Sequence, residues 1–236
     1  MKTEIARFGT SYGGFYYPTN LIGLNNNSIV YCVGVGEDIS HDVTISGQLN
    51  SKIFLIDPTP RAISHVNLVK KCLEQQSYNE LNSVTYGGGD AEYAKYIASS
   101  NCASDNIIHL PYALGTEDGT QKFYEPTNKT FVSHTLRENF KSSNYINVQV
   151  KSISSIMKEL GHSHIDLLKI DVEGIECDIL NDILNKEILP LYISIDFDSY
   201  NLDKERVNEL YKKLKKVGYQ KIHRVGDDIS LINTNN

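Results

Sequence analysis

The chain lacks any apolar run approaching the ~20 residues that a membrane-spanning helix requires. Its opening, Met1-Lys2-Thr3-Glu4-Ile5-Ala6-Arg7, lacks the apolar stretch of a secretory signal. No helical membrane span is therefore expected, and a cytoplasmic location is. There is no basic surplus either: the net charge is −6, with acids and bases mixed along the chain. That excludes nucleic-acid recognition through a broadly basic face. No Cys-x-x-Cys pair occurs; Cys32, Cys72, Cys102 and Cys177 are scattered, as befits reduced, buried thiols rather than disulfides or metal ligands. Tryptophan is absent while tyrosine occurs 15 times, so a cluster of tyrosines carries little weight. No internal repeat and no linker is visible, which reads as one domain over 1–236, with 1–28 as a lead-in or lid and 29–236 as the core.

What is present is an ordinary globular composition, 40% apolar and 22% charged, in a chain long enough to bury a full core. Strand and helix signals alternate. Ile29–Val33 reads as a first strand closed by Gly34-Val35-Gly36, and a helix pattern runs through Ile39 and Val43. Ile53–Ile56 reads as a second strand ending at Asp57-Pro58, after which Thr59 and Pro60 have the character of an N-cap and a first helical residue. Ile107–Leu110 gives a third strand. Asp118-Gly119 reads as a hairpin turn with Gln121–Tyr124 returning. Leu191–Phe197 is a buried strand, and Val207, Leu210, Tyr211, Leu214 and Val217 line a helix stopped by Gly218. Tyr219–Val225 and Ile229–Ile232 flank a turn and read as a closing hairpin. This alternation predicts a mostly parallel, doubly wound α/β sheet.

The densest information lies between Ile165 and Leu180. Leu167, Leu168 and Ile170 suit a central strand covered on both faces. Asp171 and Glu173 stand where it ends, Gly174 permits a turn, and Ile175, Ile179, Ile183 and Leu184 follow at helical spacing. Ligands of open α/β sheets sit at the carboxyl ends of strands, so two acids there are placed for chemistry. The competing reading is a pair of helix-start carboxylates.

Gly34 and Gly36 occupy the loop where a ligand would approach the backbone, and a Cβ would obstruct it. Asp57, at the end of the second strand, is placed to accept hydrogen bonds from both hydroxyls of a ribose. A dinucleotide site needs a further glycine where the helix start takes a pyrophosphate; here Glu37 and Asp38 stand instead. Acids disfavour NAD and suit S-adenosylmethionine, which carries a sulfonium and an ammonium. Tyr211-x-x-x-Lys215 superficially copies a short-chain dehydrogenase pair, but its place on the late helix makes Tyr211 core and Lys215 solvated.

With these residues the chain resembles the FkbM-type methyltransferases, from about Tyr12 to Asn233. The resemblance is carried by Leu168-Lys169-Ile170-Asp171-Val172-Glu173-Gly174-Ile175-Glu176 and Tyr31-Cys32-Val33-Gly34-Val35-Gly36-Glu37-Asp38. Phe54–Pro60 and Ala113-Leu114-Gly115-x-x-x-Gly119 add to it. It implies a Rossmann-like class I methyltransferase with a seven-stranded sheet of order 3-2-1-4-5-7-6, strand seven antiparallel, and helices on both faces. It implies S-adenosylmethionine as cofactor, with Gly34, Val35, Gly36 and Glu37 by its methionine part, Asp57 and Pro58 at the ribose, and Tyr112-Ala113 along the adenine. Family members often methylate sugar hydroxyls in glycans or natural products. Two departures stand out. Many members carry an acid where Cys32 stands, leaving ammonium recognition to Glu37 or Asp38; and many show Glu-Phe-His where this chain has Asp196-Phe197-Asp198.

The resulting expectation is an O-methyltransferase acting on a small-molecule or glycan hydroxyl. A sugar hydroxyl needs a base as attack proceeds. Asp171 is the first candidate, Glu173 the second, and His134 the third. A Mg²⁺ site built from Asp171, Glu173, Asp196 and Asp198 is conceivable, and the metal-free reading is preferred. Two alternatives stay open: a nucleoside- or adenosylmethionine-binding module without transfer, and, more weakly, an NAD-dependent enzyme. The glycine- and tyrosine-rich segment Gly13–Pro18 could cover the cofactor, stack on a sugar ring, or simply clasp the sheet.

Overall fold

The structure, a computed structural model, describes residues 4–83, 91–128, 132–138, 143–197 and 203–235. An N-terminal hairpin pairs β1 (Ile5–Phe8) with β2 (Phe15–Pro18). The main sheet has seven strands: β3 (Val30–Val33), β4 (Ile53–Ile56), β5 (Ile107–Leu110), β9 (Leu167–Ile170), β10 (Tyr192–Asp196), β11 (Tyr219–Val225) and β12 (Asp228–Asn233). Their order across the sheet is β5-β4-β3-β9-β10-β12-β11. Counting only these seven along the chain, that reads 3-2-1-4-5-7-6. In whole-chain numbering the labels differ from that expectation, because five further strands lie outside this sheet. The first five pair in parallel, and β12 is antiparallel to both neighbours.

The four central strands are buried along their length, which explains their unbroken apolar runs. Strand alternation sends Val30, Cys32 and Leu167 to one face and Tyr31, Val33, Leu168 and Ile170 to the other. The first face carries α1 (Ser40–Leu49), α2 (Pro60–Gln75), α3 (Ala91–Ser99) and the N-terminal hairpin; the second carries α4 (Ile153–Leu160), α5 (Glu176–Asn185) and α6 (Lys204–Lys216). Thr59 caps α2 by accepting from the Ala62 N–H at 3.3 Å, and Pro60 is its first residue, as the sequence predicts.

Three sequence expectations need correction. Asp118-Gly119 does not close a hairpin between neighbours. β7 (Gly119–Tyr124) pairs antiparallel with β8 (Tyr145–Lys151), and β8 pairs in parallel with β6 (Ala113–Leu114), giving a side sheet of order β6-β8-β7. The residues between Glu125 and Asn144 make the connection that separates the two. Second, β8 and α4 form a strand–helix unit that the sequence reading passed over. Ser152 caps α4 through the Ser155 N–H at 3.3 Å, and Gly161 ends it in the left-handed conformation. Third, the first core strand starts at Val30 rather than Ile29. Gly87-Gly88-Gly89, a run whose three glycines read as a loop in the sequence, lies outside the described residues. Among the described residues no helix is long and apolar enough to cross a membrane.

Candidate active site

The carboxyl ends of β3, β4, β9 and β10 open into one pocket, walled on its flanks by the tip of the N-terminal hairpin and by the side sheet. All eight residues expected at a cofactor, Gly34, Val35, Gly36, Glu37, Asp57, Pro58, Tyr112 and Ala113, line it. So do the three candidate bases, Asp171, Glu173 and His134, and the possible metal ligand Asp196. Asp198 lies outside the described residues.

The glycine turn is built from two different constraints. Gly34 has φ +69°, and a Cβ there would fall 1.6 Å from the carbonyl oxygen of Asp171. What Gly34 admits is therefore the neighbouring strand end, not a ligand, which corrects the reason given for it above. Gly36, at φ +52°, would meet only the Val132 side chain, at 3.2 Å. This is the position that keeps the pocket open.

Asp57 is 5% exposed, and its carboxylate organises the turn. Oδ2 accepts from the Gly36 N–H at 3.0 Å; Oδ1 accepts from the Thr59 N–H at 2.8 Å and the Thr59 hydroxyl at 2.7 Å. A carboxylate offers about four acceptor sites, so capacity remains on Oδ2. Glu37 is engaged elsewhere. Arg61 of α2 holds it bidentately, Nε to Oε1 at 3.0 Å and a terminal nitrogen to Oε2 at 2.6 Å. Asp38 is buried at the start of α1, where it accepts from the Ser40 N–H at 2.9 Å and the Thr10 hydroxyl at 2.5 Å. Of the two acids proposed for an ammonium, Asp38 is the one not committed to an arginine.

Beside Cys32 a buried carboxylate does stand, but α1 supplies it: a carboxylate oxygen of Asp42 lies within 4.8 Å of the Cys32 sulfur. Together with His41 these are the described residues whose ligand atoms cluster closely enough to suggest a metal. The cluster has other partners. His41 donates from Nδ1 to Asp42 at 3.2 Å and faces the Tyr17 hydroxyl with Nε2 at 2.9 Å. The Lys169 ammonium supplies the positive charge that Asp42 sees.

At the end of β9, Asp171 joins Asp196 of β10 and Asp228 of β12 around the pocket. Asp196 and Asp228 are register partners on adjacent strands. Burial pushes the Asp171 carboxyl well above its usual range, and the charges of Asp196, Glu173 and Asp228 push the same way, against Lys169. Burial likewise raises Asp228 to about 6. Asp228 and Lys169 are the site residues that sequence reasoning missed. Glu173 has φ +57°, a strained conformation for a residue with a side chain. Its carbonyl accepts from the Thr135 hydroxyl at 2.7 Å, which draws the Val132–His134 segment to the acids. The helix-start role belongs to Glu176, whose carboxylate accepts from the Gly174 N–H at 2.5 Å.

His134 points Nδ1 at the Val132 carbonyl, 2.9 Å away. A carbonyl only accepts, so Nδ1 carries the proton and Nε2 carries the lone pair. The ring leans on Phe123, with centroids 5.4 Å apart. Tyr112 turns its hydroxyl to Glu159 of α4 at 3.0 Å, leaving its ring as a wall of the pocket. Tyr12 is 61% exposed at the tip of the hairpin, and its phenol pKa is raised, first by burial of the hydroxyl and then by Asp171 and Glu173.

A family model for the methyltransferase FkbM domain matches residues 24–221, more than half of the chain. The chain belongs to the FkbM methyltransferases. No curated protein matches it. For an FkbM methyltransferase, the pocket sits where the strand order reverses between β3 and β9, the usual ligand position in a doubly wound sheet. The match begins after the N-terminal hairpin, so Tyr12, Gly13 and Phe15 bring pocket wall from outside the matched region.

Proposed function

We propose that the protein is an S-adenosylmethionine-dependent O-methyltransferase whose acceptor is a hydroxyl of a sugar, a glycan or a related polyol. The observation that carries this reading is the convergence, in one pocket, of the open glycine turn, Asp57 with spare acceptor capacity, and a group of acids. The donor set fits the cofactor: an acid for the ribose diol, Asp38 for an ammonium, and the rings of Tyr112 and Phe123 for an apolar nucleobase. When bound, S-adenosylmethionine supplies an electrophilic methyl group on a sulfonium.

The protein's own residues bind, orient and accept a proton. Asp57 and Pro58 fix the nucleoside end, so that the acceptor meets the methyl group in line. Asp171 receives the acceptor's hydroxyl proton. Its raised pKa brings it closer to the neutral range in which a general base works best. Asp196 and Asp228 accept hydrogen bonds from neighbouring hydroxyls of a polyol, and Tyr12 offers an aromatic face at the mouth. His134, through Nε2, is the second candidate for the proton. We favour chemistry without a metal: Lys169 already supplies positive charge among these acids, and a carboxyl whose burial favours its protonated form is a poorer ligand for a hard cation.

Calorimetry with S-adenosylmethionine and S-adenosylhomocysteine tests the cofactor, and no binding of either at about millimolar concentration, a binding free energy weaker than about −4 kcal/mol, refutes it. Methyl transfer from radiolabelled cofactor to a panel of sugars, nucleotide-sugars, lipids and proteins tests the acceptor. Transfer confined to amines or proteins would overturn the polyol reading while keeping the enzyme class.

A further inference from the structure

Lys169 stands in the middle of β9 between its register partners Cys32 of β3 and Ser194 of β10, on the face covered by α1. It is only 2% exposed, and what remains open contributes to the pocket wall. Among the described residues, its ammonium makes no hydrogen bond and no close ion pair. A buried ammonium with its N–H groups unfilled is costly. The field of nearby carboxylates, Asp42 foremost and then Asp171 and Asp38, outweighs burial and keeps it protonated. A permanently charged lysine is no base. Asp42 itself is fully buried, with Oδ2 unpaired, and contributes the largest of the charges that favour this cation. Lys169 thus brings to the pocket wall a cation that, among the described residues, has no hydrogen-bond acceptor of its own.

The opposite charge lies at the same end. Asp38 lines the pocket at the start of α1, directly after the glycine turn, with its carboxylate braced by Thr10 and Ser40. One fixed cation and one fixed anion beside the glycine turn complement a zwitterion, not a neutral polyol or a phosphate.

We propose that Lys169 is the anchor for the α-carboxylate of the cofactor's amino-acid end, with Asp38 taking the α-ammonium. The proposal rests on the reading of S-adenosylmethionine as cofactor. It gives a role to a lysine set within an otherwise apolar, buried strand.

The test is calorimetry on the full-length protein with three probes. S-Adenosylhomocysteine carries the whole amino acid, 5′-methylthioadenosine carries none of it, and decarboxylated S-adenosylmethionine lacks the carboxylate alone. The wild type should bind S-adenosylhomocysteine about ten- to a hundred-fold more tightly than 5′-methylthioadenosine, as charge-assisted hydrogen bonds imply. It should also prefer S-adenosylmethionine to its decarboxylated form by at least about tenfold. Lys169→Met should bind 5′-methylthioadenosine as the wild type does, while the advantage of S-adenosylhomocysteine falls to within about threefold. Should that variant fail to fold, the wild-type comparison decides alone, since equal binding of the two S-adenosylmethionine forms overturns the proposal. An undiminished advantage in Lys169→Met overturns it too, as does a raised acceptor KM with cofactor affinity intact. Binding of 5′-methylthioadenosine without discrimination refutes only the anchor; binding of none of the probes refutes the cofactor reading as well.

Discussion

Removing the Asp57 carboxylate separates its observed role in the glycine turn from its proposed role at a ribose. Three donors converge on it: the Gly36 N–H, the Thr59 N–H and the Thr59 hydroxyl. Hydrogen bonds to a charged acceptor contribute about 1.5–3 kcal/mol each, but the Thr59 hydroxyl can reorient and the Gly36 N–H borders solvent, so Asp57→Ala should destabilise the fold by about 2–4 kcal/mol in total. For a chain of this size each kcal/mol lowers Tm by about 2–4 °C. Asp57→Asn keeps an oxygen for Thr59 and loses the Gly36 bond, a cost of about 1 kcal/mol. Binding is the separate quantity. If the carboxylate also holds both ribose hydroxyls, either variant, assayed well below its Tm, should bind S-adenosylhomocysteine about ten- to a hundred-fold more weakly. The effect should fall on affinity rather than on the transfer step, because the ribose is held equally in ground and transition states. Calorimetry with S-adenosylhomocysteine and its 2′-deoxy analogue completes the cycle. The wild type should prefer the ribose, and Asp57→Ala should not. A variant that melts earlier yet binds both ligands as the wild type does would show that Asp57 shapes the turn and never touches the cofactor.

Asp171→Asn should lower kcat by about a hundred- to ten-thousand-fold while leaving S-adenosylhomocysteine affinity near wild type, with wild-type activity resistant to EDTA and declining as pH falls through the raised Asp171 pKa. Loss of activity on chelation, restored by Mg²⁺, would replace the base with a metal ligand. Asp228, raised from 3.8 to about 6, disfavours the fold once ionised. As pH rises the unfolded state ionises first, so the penalty is absent below about pH 4, grows to about pH 6 and is complete above it. Asp228→Asn should thus stabilise the fold at pH 7.5 by of order 1–3 kcal/mol, read as a higher Tm, and leave it unchanged at pH 3.5; an equal gain at both values would mean that packing rather than charge is responsible. Gly34→Ala places a methyl group 1.6 Å from a backbone oxygen at φ +69° and should cost more than about 3 kcal/mol, whereas Gly36→Ala should fold and bind the cofactor more weakly. Thermal melts on both variants check this, and a Gly34→Ala protein as stable as the wild type would contradict the close approach.

The central strands were legible because burial on both faces leaves them as apolar runs punctuated by Gly34, Asp57 and Asp171. The residues expected at a cofactor followed from the same ends, and they line one pocket. Other parts were recoverable but overlooked. Tyr145–Lys151 buries Val148 and Val150 at alternate positions, and Ile153, Ile156, Met157 and Leu160 keep helical spacing between a serine cap and a glycine stop. A lysine inside an otherwise apolar strand, Lys169, was also a signal. The remainder depends on distant contacts. Nothing local pairs Glu37 with Arg61, or Asp42 with Cys32. Asp228 reads as a turn residue until β12 inserts beside β10 and carries it to the pocket.

The N-terminal hairpin gives the matched region a boundary that is not a folding boundary. Tyr17, fully buried, donates to the neutral His41 of α1 and lies 2.6 Å from the Ser194 hydroxyl of β10, so one phenol joins three elements. Phe8, Phe15 and Leu21 belong to the same apolar core as α1 and α2. Cutting the chain at residue 24, where the family match begins, would strip that core and orphan His41 and Ser194. The loop between the two hairpin strands is differently situated: it carries Tyr12 over the pocket mouth while its ends are pinned by buried anchors. Within it, Thr10 is tied by its N–H to Ser40 and by its hydroxyl to Asp38, and Gly13 and Gly14 admit close neighbours, so the exposed Tyr12 side chain is the part that can change without disturbing the host. Substituting Tyr12 alone, with Thr10, Gly13 and Gly14 kept, is thus a route to altered acceptor choice that leaves Asp38 and the strand ends as they are.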